Sequence, residues 1–220
     1  MKINIGIDGP VASGKSTIAK QVASVLGFTH IDTGAMYRCV AYQAMLANID
    51  VNNEEQVSLL LPSLFIQLHS DGSVWCNGID VSSEIRSHQV SNAASVVAAF
   101  SSVRKNLVIQ QQRIALSKGY VMDGRDINTV VLPDSELQIY LTASIESRAV
   151  RRFLDLQSRG HEVDIETIER DIQSRDFKDM NREDSPLKVS KNAHVIDTSY
   201  MSVEEVVETI VSLAKEVMHD

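Results

Sequence analysis

The sequence predicts an α/β fold built on a parallel sheet, because short β-branched strands alternate with helical patterns along the chain. Residues 2–8 form the first such strand, and a glycine-rich loop with a helical pattern through Leu26 follows it at once. A second strand at residues 28–31 leads into another helical pattern at residues 35–47. This order of strand, helix and strand is the one that a parallel sheet requires.

The alternation changes between residues 54 and 81. An apolar helical stretch to Leu61 is followed by three short strand-like segments, and Asp71-Gly72 and Asn77-Gly78 supply turn signals between them. Consecutive hairpins do not suit a strand-helix-strand unit. We therefore expect a small antiparallel insert over residues 64–91.

The second half of the chain returns to the alternating pattern. Helical patterns at residues 90–99 and 103–117 precede apolar strands at residues 120–123 and 137–141. Residues 145–182 are charged and helical, with an interruption near residues 159–161. A short strand at residues 195–196 and an amphipathic helix at residues 201–218, which Ser202 is placed to cap, complete a single domain of residues 1–220.

The composition is that of an ordinary globular protein. The 220 residues carry 21 Lys and Arg against 29 Asp and Glu, which gives a net charge of −8, and 44% are apolar. Because nucleic-acid affinity comes mostly from neutralised phosphates, we expect no nucleic-acid partner for an acidic chain. No apolar run approaches the roughly 20 residues of a membrane span, and no signal-peptide pattern is present, so we expect no membrane partner. Two cysteines, Cys39 and Cys76, fit a reducing compartment, and we expect a cytoplasmic location.

One motif carries specific chemistry. The pattern G-x-x-x-x-G-K-[ST] is matched in full between a predicted strand and a predicted helix. Its residues are Gly9, Pro10, Val11, Ala12, Ser13, Gly14, Lys15 and Ser16, with Thr17 next in the helix. The glycines let backbone N–H groups wrap a polyphosphate, while Lys15 reaches the outer phosphate oxygens and Ser16 holds Mg²⁺. The sequence therefore predicts a site for Mg²⁺ and a nucleoside triphosphate.

A phosphate loop alone does not separate GTPases, ATPases and kinases. The chain has no Asn-Lys-x-Asp motif for guanine and no Asp-Glu pair ending an apolar strand, which a hydrolytic ATPase would often show. Two other polar segments, Asp32-Thr-Gly-Ala-Met-Tyr-Arg38 and Asp123-Gly-Arg-Asp126, each follow a predicted strand. Parallel folds bind ligands at the carboxyl ends of their strands, so these segments predict the rest of the site.

Together these segments resemble the bacterial cytidylate kinase family of nucleoside monophosphate kinases, over nearly the whole chain. Further landmarks, in order, are Val90-Ser-Asn-Ala-Ala-Ser95, Thr129-Val-Val-Leu-Pro-Asp134, Arg148-Ala-Val-Arg-Arg152, and Arg175-Asp176 leading to Arg182 and Pro186-Leu187. The resemblance implies a P-loop NTPase fold with a five-stranded parallel sheet flanked by helices. It also implies a lid near residues 152–176 and a nucleoside-monophosphate-binding region near residues 33–101, enlarged by the insert. The implied activity is transfer of the γ-phosphoryl group of ATP to CMP or dCMP, with Mg²⁺, by a monomer.

The same resemblance implies roles for individual side chains. Phosphoryl transfer depends on positioning and charge neutralisation, and arginine grips phosphate oxygens bidentately. The implied phosphate contacts are Lys15 on ATP, Arg38 and Arg125 on CMP, Arg148 and Arg152 over ATP from the lid, and Arg175 between lid and substrate. Of these, Lys15, Arg125, Arg152 and Arg175 are the implied catalytic groups. The implied nucleoside contacts are Thr33, Arg104, Asp126 and Arg182 on cytosine, Tyr37 beside them, and Ser95, Arg175 and Asp179 on the ribose.

Several alternatives stay open at the level of sequence. Asp123 serves either as an indirect Mg²⁺ ligand or as a contact to the acceptor nucleotide. The acceptor is either CMP or another nucleoside monophosphate, and a non-catalytic nucleotide-sensing module is the alternative outside the enzymes. The arginines of residues 148–182 also suit a solvated helical face, because acidic residues are equally frequent there.

Overall fold

The structure is a computed structural model that describes residues 1–69, 71–158, 160 and 162–219. Its strands, in chain order, are β1 (Asn4–Asp8), β2 (Thr29–Asp32), β3 (Ile66–Leu68), β4 (Val74–Cys76), β5 (Ile79–Asp80), β6 (Tyr120–Gly124), β7 (Leu137–Thr142) and β8 (His194–Asp197). Five of them form a parallel sheet in the order β2-β6-β1-β7-β8, and the other three form a small sheet in the order β3-β4-β5. The predicted parallel sheet of five strands is confirmed.

The helices, in chain order, are α1 (Lys15–Leu26), α2 (Thr33–Leu46), α3 (Glu54–Ser58), α4 (His88–Val97), α5 (Ser101–Ala115), α6 (Ile145–Ser158), α7 (Ile165–Asn181) and α8 (Val203–His219). The predicted interruption near residues 159–161 falls between α6 and α7, although residues 159 and 161 lie outside the described residues. Helix α7 begins after Asp164, whose Oδ1 accepts a hydrogen bond of 2.7 Å from the N–H of Thr167. In the described part of the chain, no helix is long and apolar enough to cross a membrane.

Strand β1 lies in the middle of the main sheet, and all of its residues are buried. Ile5 and Ile7 pack in one apolar core with residues of α1 and α8. Fully burying an isoleucine contributes about 1.5–3 kcal/mol, so this core fixes the strand from which the glycine loop departs. Helix α8 starts as predicted, because the N–H of Glu205 donates to Ser202 Oγ at 3.2 Å and Glu205 Oε2 accepts from the N–H of Ser202.

A second apolar core holds the insert against α2, α4 and α5. The strands β3, β4 and β5 pair antiparallel. Asn77 and Gly78 have φ values of 51° and 80°, which the two-residue turn between β4 and β5 requires. Cys39 of α2 and Cys76 of β4 are buried free thiols in this core, so neither is used in a disulfide.

Candidate active site

The carboxyl ends of three neighbouring strands meet at one edge of the main sheet. The strand register places Asp8 of β1 beside Gly124 of β6, and Asp32 of β2 beside Asp123 of β6. The 123–126 segment, at the end of β6, therefore leaves the sheet between the phosphate loop (residues 9–16) after β1 and the 32–38 segment at the end of β2. A cavity of about 680 Å³ lies at this edge and is lined by residues of all three segments.

The phosphate loop has a backbone conformation that depends on its glycines. Gly14, with a φ of 87°, directly precedes α1, and it offers no side chain to cap the helix. The first N–H groups of α1 therefore stay available to an anion. At Gly9, a Cβ would lie 2.1 Å from the carbonyl oxygen of Leu141, so only glycine fits between the loop and β7.

The side chain of Lys15 is folded back onto the phosphate loop. Its Nζ donates to the carbonyl oxygen of Pro10 at 2.6 Å and to Ser13 Oγ at 3.2 Å. Burial, together with the charge of Arg125, lowers the pKa of Lys15 well below its ordinary value. A buried ammonium next to another cation is stabilised by an anion, so this position suits the binding of phosphate oxygens.

Ser16 and Asp123 bring two oxygen ligands together beside the phosphate loop. Ser16 Oγ donates to Asp123 Oδ2 at 2.7 Å, and His30 Nε2 lies 2.7 Å from Asp123 Oδ1. Burial alone would raise the pKa of Asp123, but the hydrogen bonds from His30 and Ser16 outweigh it and hold that pKa below its ordinary value. A hydroxyl and an ionised carboxylate are ligands that Mg²⁺ prefers, so these residues fit the predicted ion.

Four of the arginines predicted to contact phosphate line the cavity, and they come from different elements. They are Arg38 of α2, Arg125 after β6, Arg152 of α6 and Arg175 of α7. Three of them have a carboxylate partner: Arg38 pairs with Asp32 at 2.6 Å, Arg125 with Asp179 at 2.7 Å and Arg152 with Asp155 at 3.0 Å. Among the described residues, no carboxylate forms an ion pair with Arg175. Burial lowers the pKa of Arg175, and the charges of Arg125 and Arg152 add to that effect.

A buried polar cluster lies next to these cations. Asp126 forms an ion pair with Arg104, and Arg182 Nη2 is 3.6 Å from Asp126 Oδ1. The guanidinium of Arg104 lies over the ring of Tyr37, 5.4 Å from its centroid. Thr33 Oγ1 donates to the carbonyl oxygen of Asp123 at 2.7 Å, so this predicted base contact also fixes the end of β6.

Several guanidinium nitrogens of this cavity are buried and have no hydrogen-bond partner among the described residues. They are Arg38 Nε, Arg104 Nε and Arg182 Nη2. A buried donor without a partner costs about 1–3 kcal/mol, which a bound acceptor would recover. The cavity is therefore suited to a ligand that carries several hydrogen-bond acceptors.

The predicted ribose contacts also line the cavity. Ser95 of α4 donates to the carbonyl oxygen of Ser91 at 3.5 Å, which leaves its hydroxyl weakly held. Asp179 accepts from Arg125, and this ion pair holds the pKa of Asp179 below its ordinary value against the opposing effect of burial. The structure thus brings Ser95, Asp179 and Arg175 to one cavity with the base cluster.

Arg148 differs from the other predicted site residues, because it is buried away from the cavity. It forms an ion pair with Asp176, and its Nη1 donates to the carbonyl oxygen of Val11 at 3.1 Å. Asp176 Oδ1 accepts from the N–H of Val11 at 3.1 Å. The pair therefore clamps the phosphate loop to α7, and this position does not fit the direct ATP contact that we expected for Arg148.

Arg151, unlike Arg148, faces the cavity. It lines the cavity, its Nη1 donates to Thr198 Oγ1 at 3.0 Å, and it is 4.0 Å from the place that a Cβ on Gly14 would take. Sequence reasoning did not single out Arg151, although it belongs to the landmark 148–152. Helical spacing did not distinguish the two arginines, because the buried partner of Arg148 lies on α7.

His30 and Asp8 were also missed. His30 contacts Asp123, and Asp8 accepts the N–H groups of Ile127 and Asn128 at 2.8 Å each. A carboxylate that ends a buried β-branched strand was an available signal for Asp8. No local pattern pointed to His30.

Comparisons with known proteins agree with this geometry. The model of the family described as cytidylate kinase matches residues 5–216. A cytidylate kinase of Streptococcus suis (strain 05ZYH33) is 48% identical over 98% of this chain and 98% of its own. A cytidylate kinase of Desulfitobacterium hafniense (strain Y51) is 46% identical over 96% of this chain and 92% of its own.

Among solved structures, a shikimate kinase from Acinetobacter baumannii in complex with shikimate has a TM-score of 0.51 and 14% identity. The match covers 98% of this chain and 94% of the shikimate kinase, and at this identity it shows the fold alone. The fold is that of P-loop kinases, as predicted. With a family model that spans nearly the whole sequence and relatives at this level of identity, the chain belongs to the cytidylate kinase family.

Proposed function

We propose that the protein transfers the γ-phosphoryl group of ATP to CMP or dCMP, giving ADP and the corresponding diphosphate. The observation that carries this function is the set of unpartnered buried guanidinium nitrogens beside the phosphate loop, in a chain of the cytidylate kinase family. Two groups with many acceptor atoms fit one cavity: a triphosphate on the loop and a nucleoside monophosphate among the arginines.

The donor side positions the triphosphate. Backbone N–H groups of residues 12–16, at the start of α1, would face the phosphates, and Lys15 would neutralise the outer oxygens. Ser16 would hold Mg²⁺, with Asp123 placed to orient it through the Ser16 hydroxyl. Bound Mg²⁺ supplies further neutralisation of phosphate charge. Arg151, which lies beside Gly14, would contact the donor in place of Arg148, which is paired with Asp176.

The acceptor side selects and orients the monophosphate. Arg38 and Arg125 would bind its phosphate, where their charges also weaken the repulsion between the two anionic reactants. Cytosine presents an amino donor beside two acceptors, which matches Asp126 and the hydroxyl of Thr33 together with Arg104 and Arg182. Ser95, Asp179 and Arg175 would contact the ribose.

The helices α6 and α7 are suited to act as a lid. They carry Arg152 and Arg175, which line the cavity and would reach the transferring group. Closure of this pair would bring the two cations onto the phosphates and exclude water, which otherwise competes as the acceptor. The Arg148–Asp176 ion pair joins α6 to α7, and its contact with Val11 attaches both helices to the phosphate loop.

The test is the release of ADP from Mg-ATP in the presence of each nucleoside monophosphate. We expect rapid turnover with CMP and dCMP, and little with AMP or GMP, because adenine lacks an acceptor equivalent to O2 of cytosine and guanine carries an oxygen acceptor where cytosine carries its amino donor. Strong turnover with AMP or GMP and none with CMP would refute the proposed acceptor. Binding of ATP without turnover on any monophosphate would favour a nucleotide sensor instead.

A further inference from the structure

The fully buried side chain of Asp8 lies between the two halves of the site. Asp8 is the last residue of β1, and the phosphate loop begins directly after it. Its backbone is in register with Gly124 of β6 on one side and Tyr140 of β7 on the other. None of the roles derived above uses this carboxylate.

The two carboxylate oxygens of Asp8 bind the backbone on the acceptor side. Oδ1 accepts from the N–H of Ile127 and Oδ2 from the N–H of Asn128, both at 2.8 Å. Within the described part of the chain, no cationic side chain forms an ion pair with it. The carboxylate is therefore held by two amides that lie more than one hundred residues away in the sequence.

Ile127 and Asn128 are the first residues of the helical turn Ile127–Val131, and Asp126 directly precedes them. The carbonyl oxygen of Asp126 accepts from the N–H of Val130 at 2.9 Å, so the turn closes on Asp126 itself. A shift at the start of the turn would move the Asp126 carboxylate away from Arg104 and Arg182.

We infer that Asp8 is a positioning residue, whose ionised carboxylate anchors the 127–131 turn and thereby sets Asp126 for reading the acceptor base. The inference rests on the proposed function, since it concerns the recognition of CMP. Asp8 would act through Asp126 and touch neither substrate. The two hydrogen bonds of Asp8 connect β1, which precedes the phosphate loop, to the 127–131 turn, which follows Asp126.

The surroundings of Asp8 make this anchor sensitive to pH. Burial raises the pKa of Asp8 to about 7, against the lowering effect of the two amides, while Asp126 raises it further and Lys15 lowers it. Tyr140 is the other titratable neighbour, and its own raised pKa keeps it neutral. When Asp8 is protonated, one oxygen carries hydrogen and accepts less well, so one amide of the turn loses its partner.

The test compares Asp8→Asn with the wild-type enzyme in steady-state kinetics at pH 8 and pH 6. Asparagine keeps the shape but turns one acceptor into a donor. At pH 8 we expect the KM for CMP to rise about tenfold, while the KM for ATP changes by less than about threefold. At pH 6 the ratio of the KM for CMP of Asp8→Asn to that of the wild type should be closer to one, because wild-type Asp8 is then largely protonated. Titration of the substrates affects both enzymes equally and cancels in the ratio.

Glu136→Gln is the matched control. Glu136 also accepts a backbone N–H of β1, that of Asn4 at 2.9 Å, but at the end of the strand remote from the site. This variant should leave both KM values unchanged at either pH. Equal increases in both KM values for Asp8→Asn, or a ratio that does not change with pH, would overturn the inference.

A second measurement covers the case in which Asp8→Asn does not fold. Cytidine has no phosphate that titrates between pH 6 and 8, so its calorimetric affinity for the wild-type enzyme reports recognition of the nucleoside without the phosphate. We expect cytidine binding to weaken about fivefold from pH 8 to pH 6, and constant affinity would contradict the inference. Absence of CMP turnover by the wild-type enzyme would refute the proposed function itself, which is a distinct outcome.

Discussion

The donor side and the acceptor side of the cavity are built in different ways. The donor side is built mainly from consecutive residues, 9–17, which follow β1 and continue into the first turn of α1. The acceptor side takes its polar groups from α2, α4, α5, the 123–126 segment and the end of α7. A local loop folds around its ligand through its own backbone, whereas a dispersed site depends on the packing of every element that contributes to it. We therefore expect a substitution on one side to impair the function of that side without impairing ligand binding on the other.

The largest effect is expected on the donor side, from Lys15→Met. Removing a preorganised charge from the transferring phosphate should lower kcat by about 10³-fold, measured as ADP release at saturating CMP. Lys20→Met, on the exposed face of the same helix, is the control and should keep wild-type kcat. Near-normal turnover of Lys15→Met would contradict the assignment of the phosphate loop.

On the acceptor side, Asp126→Asn should lower kcat/KM for CMP by roughly 10²-fold, because Arg104 and Arg182 lose their buried counter-charge. The calorimetric Kd for ATP should stay close to that of the wild type. The control is Asp134→Asn, an exposed carboxylate in the following loop. Equal loss of ATP and CMP binding would mean that the two sides are not separable.

A third experiment distinguishes two arginines of α6. Arg148→Ala leaves Asp176 buried and unpaired, so it should lower the free energy of unfolding by about 3–5 kcal/mol, which thermal denaturation measures. Arg151→Ala should instead raise the KM for ATP about tenfold with a nearly unchanged Tm, because its side chain faces the cavity. A raised KM for ATP in Arg148→Ala, together with a lowered stability of Arg151→Ala, would instead support the predicted contact between Arg148 and ATP.

A fourth experiment measures how much CMP stabilises the protein against unfolding. CMP at about one hundred times its Kd should stabilise the fold by about 2.7 kcal/mol, a rise in Tm of several degrees. The shift should disappear in Asp126→Asn and persist in Lys15→Met, if the acceptor side binds without help from the donor side. Loss of the shift in Lys15→Met would show that the lysine is needed on both sides.

The sequence predicted the elements of the fold because their signals are local. The turn at Asn77-Gly78, the cap at Ser202 and the glycine loop each require only a few neighbouring residues. It also placed the polar segments at one edge, since parallel strands end together. The roles of the individual site residues stay predictions.

What the sequence did not reveal depends on distant partners. Arg148 and Arg151 lie on one helix with similar flanks, and only Asp176, 28 residues from Arg148, makes one of them buried. The contact from Asp8 to Ile127 spans 119 residues. The periodicity of the sequence reveals neither contact, because each forms only when separate elements pack together.

The strand order also constrains when the active site can form during synthesis. Strand β1 is flanked by β6 and β7, so a nascent chain that ends before residue 142 lacks a complete pair of neighbours for it. The phosphate loop thus leaves the ribosome before the other two polar segments of the site, but the strand that holds it is fixed only after β6 and β7 have been made. Because such non-local pairing is slow, the exposed β1 strand of the growing chain is the segment for which protection by a chaperone would matter most.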